Sequence, residues 1–430
     1  QVFFFGAGAR LEARTSPTPQ PPLAKTAVMP EATKKPRRWG KGASATGPKE
    51  LPAGKPADGP KGLPAGEPAD AGRAPADSRE RGEALLAEIL ALAAAGPQPA
   101  EEAISRAAPR GAGRGKPRPA GHSEVFFPVM TPEELAPLAV PATASAATMR
   151  SVMAEHGACL VTGVLGPKEC ELMERLWLED LTQLLPDIGG GEASAHRATV
   201  AQVARVHEEG LSAWPASWDA ELGIKGMASQ RGLPQGAFAW AARLHPAVRR
   251  VFAALFESED LCVGTDNVFW TSPHSVPAAS NREWLHVDQN HRTGMTWPCA
   301  QGVLYIWPSE GPAASTTVVW PGSHREVYDE LMADPQAQSS WSQSVHLSRL
   351  YDKATSQQLM SRAMASVRRV PCPAGSLLLW DSRTMHQGWQ GGPRLAVPVC
   401  WEPRERRAYD ALRRKRWMCA AGVPSSHSAA

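Results

Sequence analysis

Residues 375–388 read Gly-Ser-Leu-Leu-Leu-Trp-Asp-Ser-Arg-Thr-Met-His-Gln-Gly. A glycine turn here leads into a short apolar run that ends near His386, which is the pattern of a buried strand with a polar side chain at its end. Comparable runs rich in Val, Leu, Trp and Thr recur from Leu261 onward, separated by Gly, Pro and Ser; they span 261–270, 283–288, 302–307, 316–320 and 395–401. Such spacing is typical of an all-β sandwich or barrel.

Helical patterns precede this β-rich region. Residues 157–165 read as a strand, Pro167 opens a helix that runs to about Leu185, and residues 238–256 form a second amphipathic stretch. We therefore predict a mainly β body with helices packed on one side of it.

The N-terminal part of the chain has a different composition. Residues 1–122 hold 18 of the 40 prolines, and 19 Lys and Arg against 12 Asp and Glu. We predict a long disordered tail, rich in Pro, Ala and Gly, because frequent prolines prevent both helices and sheet ladders. A short helix near 83–95 is the exception, since Leu85, Leu86 and Ile89 form an apolar stripe, and its docking on the body is favoured over docking on a partner. The basic charges are dispersed, which favours a solvated spacer over a nucleic-acid or membrane arm and leaves the partner of the tail unknown.

Cysteine usage bears on the compartment. The seven cysteines are odd in number and form no CxxC pair, which argues against a disulfide framework or a structural zinc site and predicts a reducing, intracellular compartment. No apolar run reaches the roughly 18 residues that span a bilayer, so no membrane span is predicted. The chain begins with Gln1 rather than Met, so a targeting sequence before Gln1 stays possible.

Two histidines and one carboxylate stand out as candidate metal ligands. His286 and Asp288 are two residues apart on a predicted strand, so their side chains project to the same face. His-x-Asp is weak evidence by itself, because chance copies are common. His386 ends a second strand, and distant strands become neighbours in a sandwich. Two histidines and one carboxylate on one face leave three coordination positions open, as in non-haem Fe(II) oxygenases.

Arg394 opens an otherwise apolar strand, so it needs an anionic partner if it is buried. A guanidinium fork suits a carboxylate in a bidentate arrangement.

Together these motifs resemble the phytanoyl-CoA dioxygenase family of iron(II)- and 2-oxoglutarate-dependent oxygenases. The order His-x-Asp, Pro-Gly-Ser-His (321–324), distal His and Arg is the order of that family, and residues 157–165 with the following helix resemble its opening strand and helix. The resemblance covers about residues 125–405. It implies a double-stranded β-helix (jelly roll) with flanking helices over a domain at 123–405, followed by a C-terminal tail at 406–430.

By this resemblance, His286, Asp288 and His386 hold Fe(II), and Arg394 binds the distal carboxylate of the cosubstrate 2-oxoglutarate. The implied reaction consumes O2 and hydroxylates a substrate, expected to be a small molecule, with release of succinate and CO2. Asp288 favours hydroxylation over halogenation, because related iron halogenases have a small residue at that position.

Two departures from the family pattern concern the cosubstrate. The gap between His386 and Arg394 is eight residues, where the family usually has about ten or eleven. The family often has a serine two residues after the arginine, and here that residue is Ala396. The predicted helpers for the carboxylate of 2-oxoglutarate are Asn267, Thr317 and Ser382.

Three other functions use the same residues. A zinc hydrolase could have the same ligands, but it has no need of Arg394. A non-catalytic jelly-roll binding module would not need three metal ligands, so the intact triad argues against it. A protein hydroxylase that docks its substrate through the tail stays open. The substrate is not readable from the sequence, and the polar segments 186–236 and 325–365 are predicted to select it.

Overall fold

The structure is a computed structural model, and it describes residues 74–94, 124–185, 200–224, 226–275, 280–290, 298–339 and 344–425. The predicted disorder of the tail falls mostly on residues 1–73 and 95–123, which lie outside the described residues. The described residues belong to one compact unit, Asp70–Ala430.

Short strands carry most of the residues singled out above. In chain order they are β1 (Glu124–Val125), β2 (Ala139–Pro141), β3 (Ala158–Thr162), β4 (Leu261–Val263), β5 (Phe269–Thr271), β6 (Asn281–Arg282), β7 (His286–Val287), β8 (Ala300–Tyr305), β9 (Thr316–Val319), β10 (Val345–His346), β11 (Arg368–Arg369), β12 (Leu377–Asp381), β13 (His386–Trp389), β14 (Arg394–Val399) and β15 (Trp401–Pro403).

Helices precede, interrupt and follow the strands. They are α1 (Ala74–Ala94), α2 (Pro132–Leu135), α3 (Ala146–His156), α4 (Pro167–Thr182), α5 (Val200–Glu209), α6 (Ala216–Glu221), α7 (Ala237–Leu244), α8 (Pro246–Phe256), α9 (Ser323–Glu326), α10 (Tyr328–Ala333), α11 (Pro335–Ser339), α12 (Lys353–Ser366) and α13 (Tyr409–Ala420), with short 3₁₀ turns between some of them.

Two larger sheets form the centre of the body. One has six strands in the order β2-β3-β12-β8-β14-β5, and the other has five in the order β10-β7-β13-β9-β11. Except for the parallel pair β2–β3, the neighbouring strands in both sheets are antiparallel. Two-stranded pairs β1–β6 and β4–β15 lie beside them.

Side-chain alternation divides the core into layers. In β12, Leu377 and Leu379 belong to an apolar cluster shared with the helices α4, α7 and α8, whereas Leu378 and Trp380 belong to a cluster shared with Val319 of the five-stranded sheet. Apolar side chains from both sheets therefore meet in the space between them.

The prediction of a mainly β body is wrong in proportion, because helices hold more than twice as many of the described residues as strands do. The predicted sheets and flanking helices are present, but helices cover both sheets. Segment 325–365, read as a polar loop, contains α10 and α12, which bury Leu331 and Leu359 against the outer face of the five-stranded sheet. The sequence pattern did not reveal these helices, because α10 is only six residues long and the 14-residue α12 buries just Leu359 and Ala363, which is too little for a long apolar stripe.

The helix predicted near 83–95 is α1, and it begins earlier, at Ala74. Leu85 and Ile89 are buried in the cluster that contains α4. Arg81 pairs with Glu179 of α4 at 3.0 Å. The apolar stripe thus packs on the body, as the sequence favoured.

Residues 406–430 are not simply a tail. Most of the first half of this segment forms α13, which buries Ala411 and Lys415. Beyond the helix, the Ser425 hydroxyl lies 2.9 Å from the hydroxyl of Thr265. No helix among the described residues is long and apolar enough to cross a membrane.

We expect Gly157→Ala to destabilise the protein more than Gly163→Ala. Both glycines have positive φ, 69° and 70°, so alanine at either position costs about 1–2 kcal/mol of backbone strain. At Gly157 a Cβ would also clash with the side chains of His324 and Thr384, whereas at Gly163 it would meet nothing within 4 Å. Overpacking of this kind costs about 1–3 kcal/mol more. Urea unfolding of the two variants is the measurement, and equal losses in the free energy of unfolding would contradict this expectation.

Candidate metal centre

His286, Asp288 and His386 come together in the space between the two sheets. His286 on β7 pairs directly with His386 on β13, so both imidazoles project from the same face of the five-stranded sheet. The Nε2 atom of His286 lies 3.3 Å from Oδ1 of Asp288, and Nε2 of His386 lies 3.2 Å from Oδ2. One ligand atom from each residue falls within 4.8 Å of the others, and all three side chains are buried. Two imidazole nitrogens and one carboxylate therefore converge.

Backbone carbonyls fix the orientation of both imidazole rings. The Nδ1 atom of His286 lies 3.0 Å from the carbonyl oxygen of Trp284, and Nδ1 of His386 lies 2.9 Å from that of Thr384. A carbonyl oxygen can only accept, so Nδ1–H donates to it in each ring, and Nε2 is the ring nitrogen that faces Asp288. Burial and the neighbouring His286 lower the pKa of His386, so its ring is neutral at pH 7. Both rings thus present the atom that a metal ion binds.

Two side chains donate hydrogen bonds to the Asp288 carboxylate. The Ser344 hydroxyl lies 2.6 Å from Oδ1, and the Gln301 amide lies 3.0 Å from Oδ2. The backbone N–H of Asp288 donates to the carbonyl of Ser382 at 2.9 Å. The Ser344 and Gln301 contacts favour the ionised carboxylate, because it is an acceptor only, and the backbone bond holds Asp288 in position.

Two further rings pack on the imidazole of His286. The indole of Trp284 is stacked on it, with ring centroids 4.9 Å apart, and the imidazole of His346 is stacked on it at 5.1 Å. Trp284 is about one third exposed, and a Cβ on Gly388 would touch its indole at 3.3 Å. The metal-ligand face of the sheet is therefore lined by flat rings.

Arg394 lies on the opposite sheet and is buried. Its guanidinium packs over the rings of Phe269 and Tyr305, at 4.3 and 5.2 Å from their centroids. It donates one hydrogen bond, of 3.1 Å, to the Tyr305 hydroxyl. Among the described residues no carboxylate lies within ion-pair distance of it, and its Nε has no hydrogen-bond partner. A buried cation with unused donors suits an anionic ligand.

Tyr305 connects Arg394 to the five-stranded sheet. Its hydroxyl lies 2.9 Å from that of Thr317 on β9. Ala396, which replaces the expected serine, pairs with Tyr305 in the sheet register. The phenol therefore places a hydroxyl beside Arg394, where the short alanine side chain cannot. Burial raises the pKa of Tyr305, so this hydroxyl keeps its proton.

The three predicted helpers have different positions. Thr317 contacts the hydroxyl of Tyr305, which in turn accepts a hydrogen bond from Arg394. The Ser382 hydroxyl accepts a hydrogen bond from Gln301 at 3.1 Å, so Ser382 supports the surroundings of Asp288. Asn267 precedes β5, and its amide bonds the sulfur of Met227 at 3.4 Å. In the register, Arg394 pairs with Thr271, four residues further along. The structure thus does not bring Ser382 or Asn267 to Arg394. The register of the strands decides which polar side chains lie near Arg394, and the sequence alone does not show that register.

The short gap between His386 and Arg394 has a structural explanation. Strand β13 belongs to the five-stranded sheet and β14 to the six-stranded sheet, so residues 390–393 cross from one to the other. A Cβ on Gly391 would clash with the backbone of residues 313–314, so the crossing is tight. Arg394 therefore reaches the inner space on the first residue of its strand.

Four residues of this site were not predicted from the sequence. They are Gln301, Tyr305, Ser344 and His346. Tyr305 and His346 lie on strands paired with those of Arg394 and His286. Gln301 contacts Asp288 from the opposite sheet, and Ser344 contacts it from the residue before β10. No local motif marks any of the four. Only Ala396 gave an indication in the sequence. Because it lacks the hydroxyl of the expected serine, a hydroxyl from elsewhere could be expected beside Arg394.

Comparison with known proteins assigns a family model to most of this region. The model described as Phytanoyl-CoA dioxygenase (PhyH) matches residues 153–391, more than half of the chain. The match includes all three candidate ligands and ends just before Arg394.

Individual relatives are more distant. "Ava biosynthesis cluster protein O" of Aspergillus versicolor is 25% identical over 222 residues, which cover 49% of this chain and 70% of that protein. A crystal structure of the epimerase SnoN in complex with Fe3+, alpha ketoglutarate and nogalamycin RO is 15% identical, with a TM-score of 0.32, and covers 60% of this chain and 82% of that chain. A crystal structure of EctD from S. alaskensis with 2-oxoglutarate and 5-hydroxyectoine is 13% identical, with a TM-score of 0.37, and covers 68% and 87%. These two structural similarities add nothing about the chemistry of the site.

Proposed function

Because the chain belongs to the phytanoyl-CoA dioxygenase family of 2-oxoglutarate-dependent dioxygenases, we propose that it hydroxylates a small molecule and releases succinate and CO2. One observation carries the proposal. The two Nε2 atoms and the Asp288 carboxylate converge in the same inter-sheet space into which Arg394 projects from the opposite sheet. A metal site and an anion site that face each other suit a cosubstrate with a chelating end and a carboxylate end.

We infer that the two sheets form the double-stranded β-helix of this family. The hydrogen bond between Tyr305 and Thr317 supports this, because it joins one sheet to the other across the interior. The shared apolar cluster of Trp380, Ala396 and Val319 supports it as well.

His286, Asp288 and His386 are the proposed ligands of Fe(II). The residues fit this ion, because two neutral imidazoles and one carboxylate are the donor set of non-haem Fe(II) oxygenases. When bound, Fe(II) supplies the activation of O2 that is coupled to oxidative decarboxylation of 2-oxoglutarate. The backbone carbonyls that receive Nδ1–H keep both rings turned toward the site.

Arg394 is the proposed partner of the distal carboxylate of 2-oxoglutarate. Its guanidinium packs over the rings of Phe269 and Tyr305, which restrict its movement, so little side-chain entropy is lost when the carboxylate binds. The Tyr305 hydroxyl, with Thr317 behind it, takes the role that a serine at position 396 would have. Burial strengthens the ion pair, since it keeps water from the charged groups.

Hydroxylation is proposed rather than halogenation. Asp288 fills the coordination position that chloride would need, and Ser344 and Gln301 keep its carboxylate in place.

Reconstitution of the full chain with Fe(II), 2-oxoglutarate and O2 tests this function. We expect succinate to form above the protein-free background with Fe(II), and none with Zn(II), which can occupy the same ligands but has no redox chemistry. The measurement is succinate released per O2 consumed. Succinate at background level with Fe(II), together with hydrolysis of a model ester by the Zn(II) form, would instead favour a zinc hydrolase.

A further inference from the structure

We propose that Ser344 and His346 position the metal ligands Asp288 and His286, and that segment 344–346 thereby sets the affinity of the metal site. This inference rests on the proposed function. It assigns a task to the chain between β9 and β11, which the sequence marks only as a polar insertion.

The contact of Ser344 with Asp288 is short and directional. The hydroxyl donates to Oδ1 at 2.6 Å, while the Gln301 amide donates to Oδ2 at 3.0 Å. Among the described contacts, Oδ1 thus accepts from Ser344 beside the five-stranded sheet and Oδ2 accepts from Gln301 on the six-stranded sheet. Hydrogen bonds to an ionised acceptor are about twice as strong as neutral ones. Together the two donors restrict rotation of the carboxylate about its Cβ–Cγ bond.

His346 acts on the second ligand from the same segment. It pairs with His286 in the register of β10 and β7, so both side chains project from the same face. The two rings are nearly parallel, 21° apart, with centroids separated by 5.1 Å. Since Trp284 also stacks on His286, at 16°, tilting the ligand ring would disturb both contacts.

Backbone pairing and two apolar side chains anchor segment 344–346. Strand β10 is at the edge of its sheet and pairs with β7. Val345 and Leu347 are fully buried in the apolar cluster on the outer face of that sheet. The backbone pairing and the apolar anchors hold the segment, so the Ser344 hydroxyl can be removed without releasing it. A role in stability alone therefore does not explain why Ser344 and His346 point at ligands.

Ser344 is tested by titrating the full-length protein, free of metal, with Co(II), whose visible absorption reports the coordination geometry. We expect Ser344→Ala to weaken Co(II) binding about 10–100-fold, as is usual when a hydrogen-bond partner of a metal ligand is lost, and to change the visible spectrum. Ser344→Thr keeps the hydroxyl and is expected to restore both. The matched control is Ser356→Ala, which loses a hydroxyl bond of 2.9 Å to the backbone of Leu347 in the same part of the fold but no contact with a ligand.

His346 is tested in the same titration. His346→Phe keeps a flat ring and is expected to retain the wild-type affinity, whereas His346→Ala loses the ring and is expected to weaken binding. Equal weakening by both variants would overturn the stacking role, because the nitrogen atoms would then be what matters.

Two results separate this inference from the proposed function. If the wild type binds Co(II) and Ser344→Ala binds it no more weakly than Ser356→Ala, the positioning role is overturned and the metal site stands. If the wild type does not bind Co(II), the proposed function falls, and this inference falls with it.

Discussion

Asp288→Ala is expected to lose Fe(II) and to form no succinate above background. Asp288 is the carboxylate of the donor set, and its removal leaves two neutral imidazoles for a dication. Loss of a residue that hydrogen-bonds to a metal ligand already lowers metal affinity about 10–100-fold. The loss of a ligand itself should therefore weaken Fe(II) binding by more than about 100-fold. The measurements are the iron content of the protein after reconstitution, succinate release and O2 consumption.

A buried aspartate outside the site provides the control. Asp334 is also buried, and its carboxylate accepts hydrogen bonds from the backbone N–H groups of Gln336, Tyr351 and Asp352. Asp334→Asn is expected to lower the free energy of unfolding while the iron content stays at the wild-type value. If Asp288→Ala kept its iron and its full succinate production, Asp288 would not be a ligand and the assignment of all three ligands would have to be abandoned.

The candidate ligands could be found from the sequence because strand geometry is local. Alternation alone places His286 and Asp288 on one face. The approach of His386 depends on the pairing of β7 with β13, which no local pattern reveals. Here the resemblance to a family supplied what the periodicity could not.

The groups that support the ligands could not be predicted in this way. Gln301 reaches Asp288 from β8 of the six-stranded sheet, and Ser344 reaches it from the residue before β10 of the five-stranded sheet. No motif marks either residue. A shift of one residue in the register of either strand would turn these side chains away. Ser382 lies beside Gln301, and its predicted role toward the cosubstrate stays a prediction.

The predicted proportion of helix and strand was wrong for a different reason. Of the helices described between β9 and β11, α9, α10 and α11 have six residues or fewer, and the 14-residue α12 buries two side chains, Leu359 and Ala363. Their stability comes from packing on the outer face of the five-stranded sheet, and a weak apolar stripe in the sequence does not predict that packing.

Arg394→Ala is expected to raise the 2-oxoglutarate concentration for half-maximal succinate formation by at least about 100-fold. Leaving a buried carboxylate without its charge partner costs about 3–5 kcal/mol, and each 1.4 kcal/mol is about tenfold in affinity. The metal content should stay near the wild-type value, because Arg394 contacts none of the three ligands through a hydrogen bond or ion pair that the structure describes. The measurements are the 2-oxoglutarate dependence of succinate formation and the iron content of the same samples.

Two further variants separate the charge of Arg394 from its geometry. Arg394→Lys keeps the charge but loses the planar fork and its stacking on Phe269, so an intermediate effect is expected. Tyr305→Phe keeps the charge and removes the neighbouring hydroxyl, and a hydrogen bond to a charged group is worth about 1.5–3 kcal/mol, so at least about a tenfold rise is expected. Tyr351→Phe, at an exposed tyrosine, is the control and should change nothing.

The order of these effects decides what Arg394 does. If alanine is worst, lysine intermediate and Tyr305→Phe mildest, the guanidinium binds the carboxylate and the phenol assists it. If Tyr305→Phe impairs the cosubstrate as strongly as Arg394→Ala, the two residues act as one unit, which their 3.1 Å hydrogen bond allows. An unchanged 2-oxoglutarate dependence in Arg394→Ala would transfer the role to another cation. Arg394 would then be a packing residue whose aliphatic stem and guanidinium fill the space over Phe269 and Tyr305.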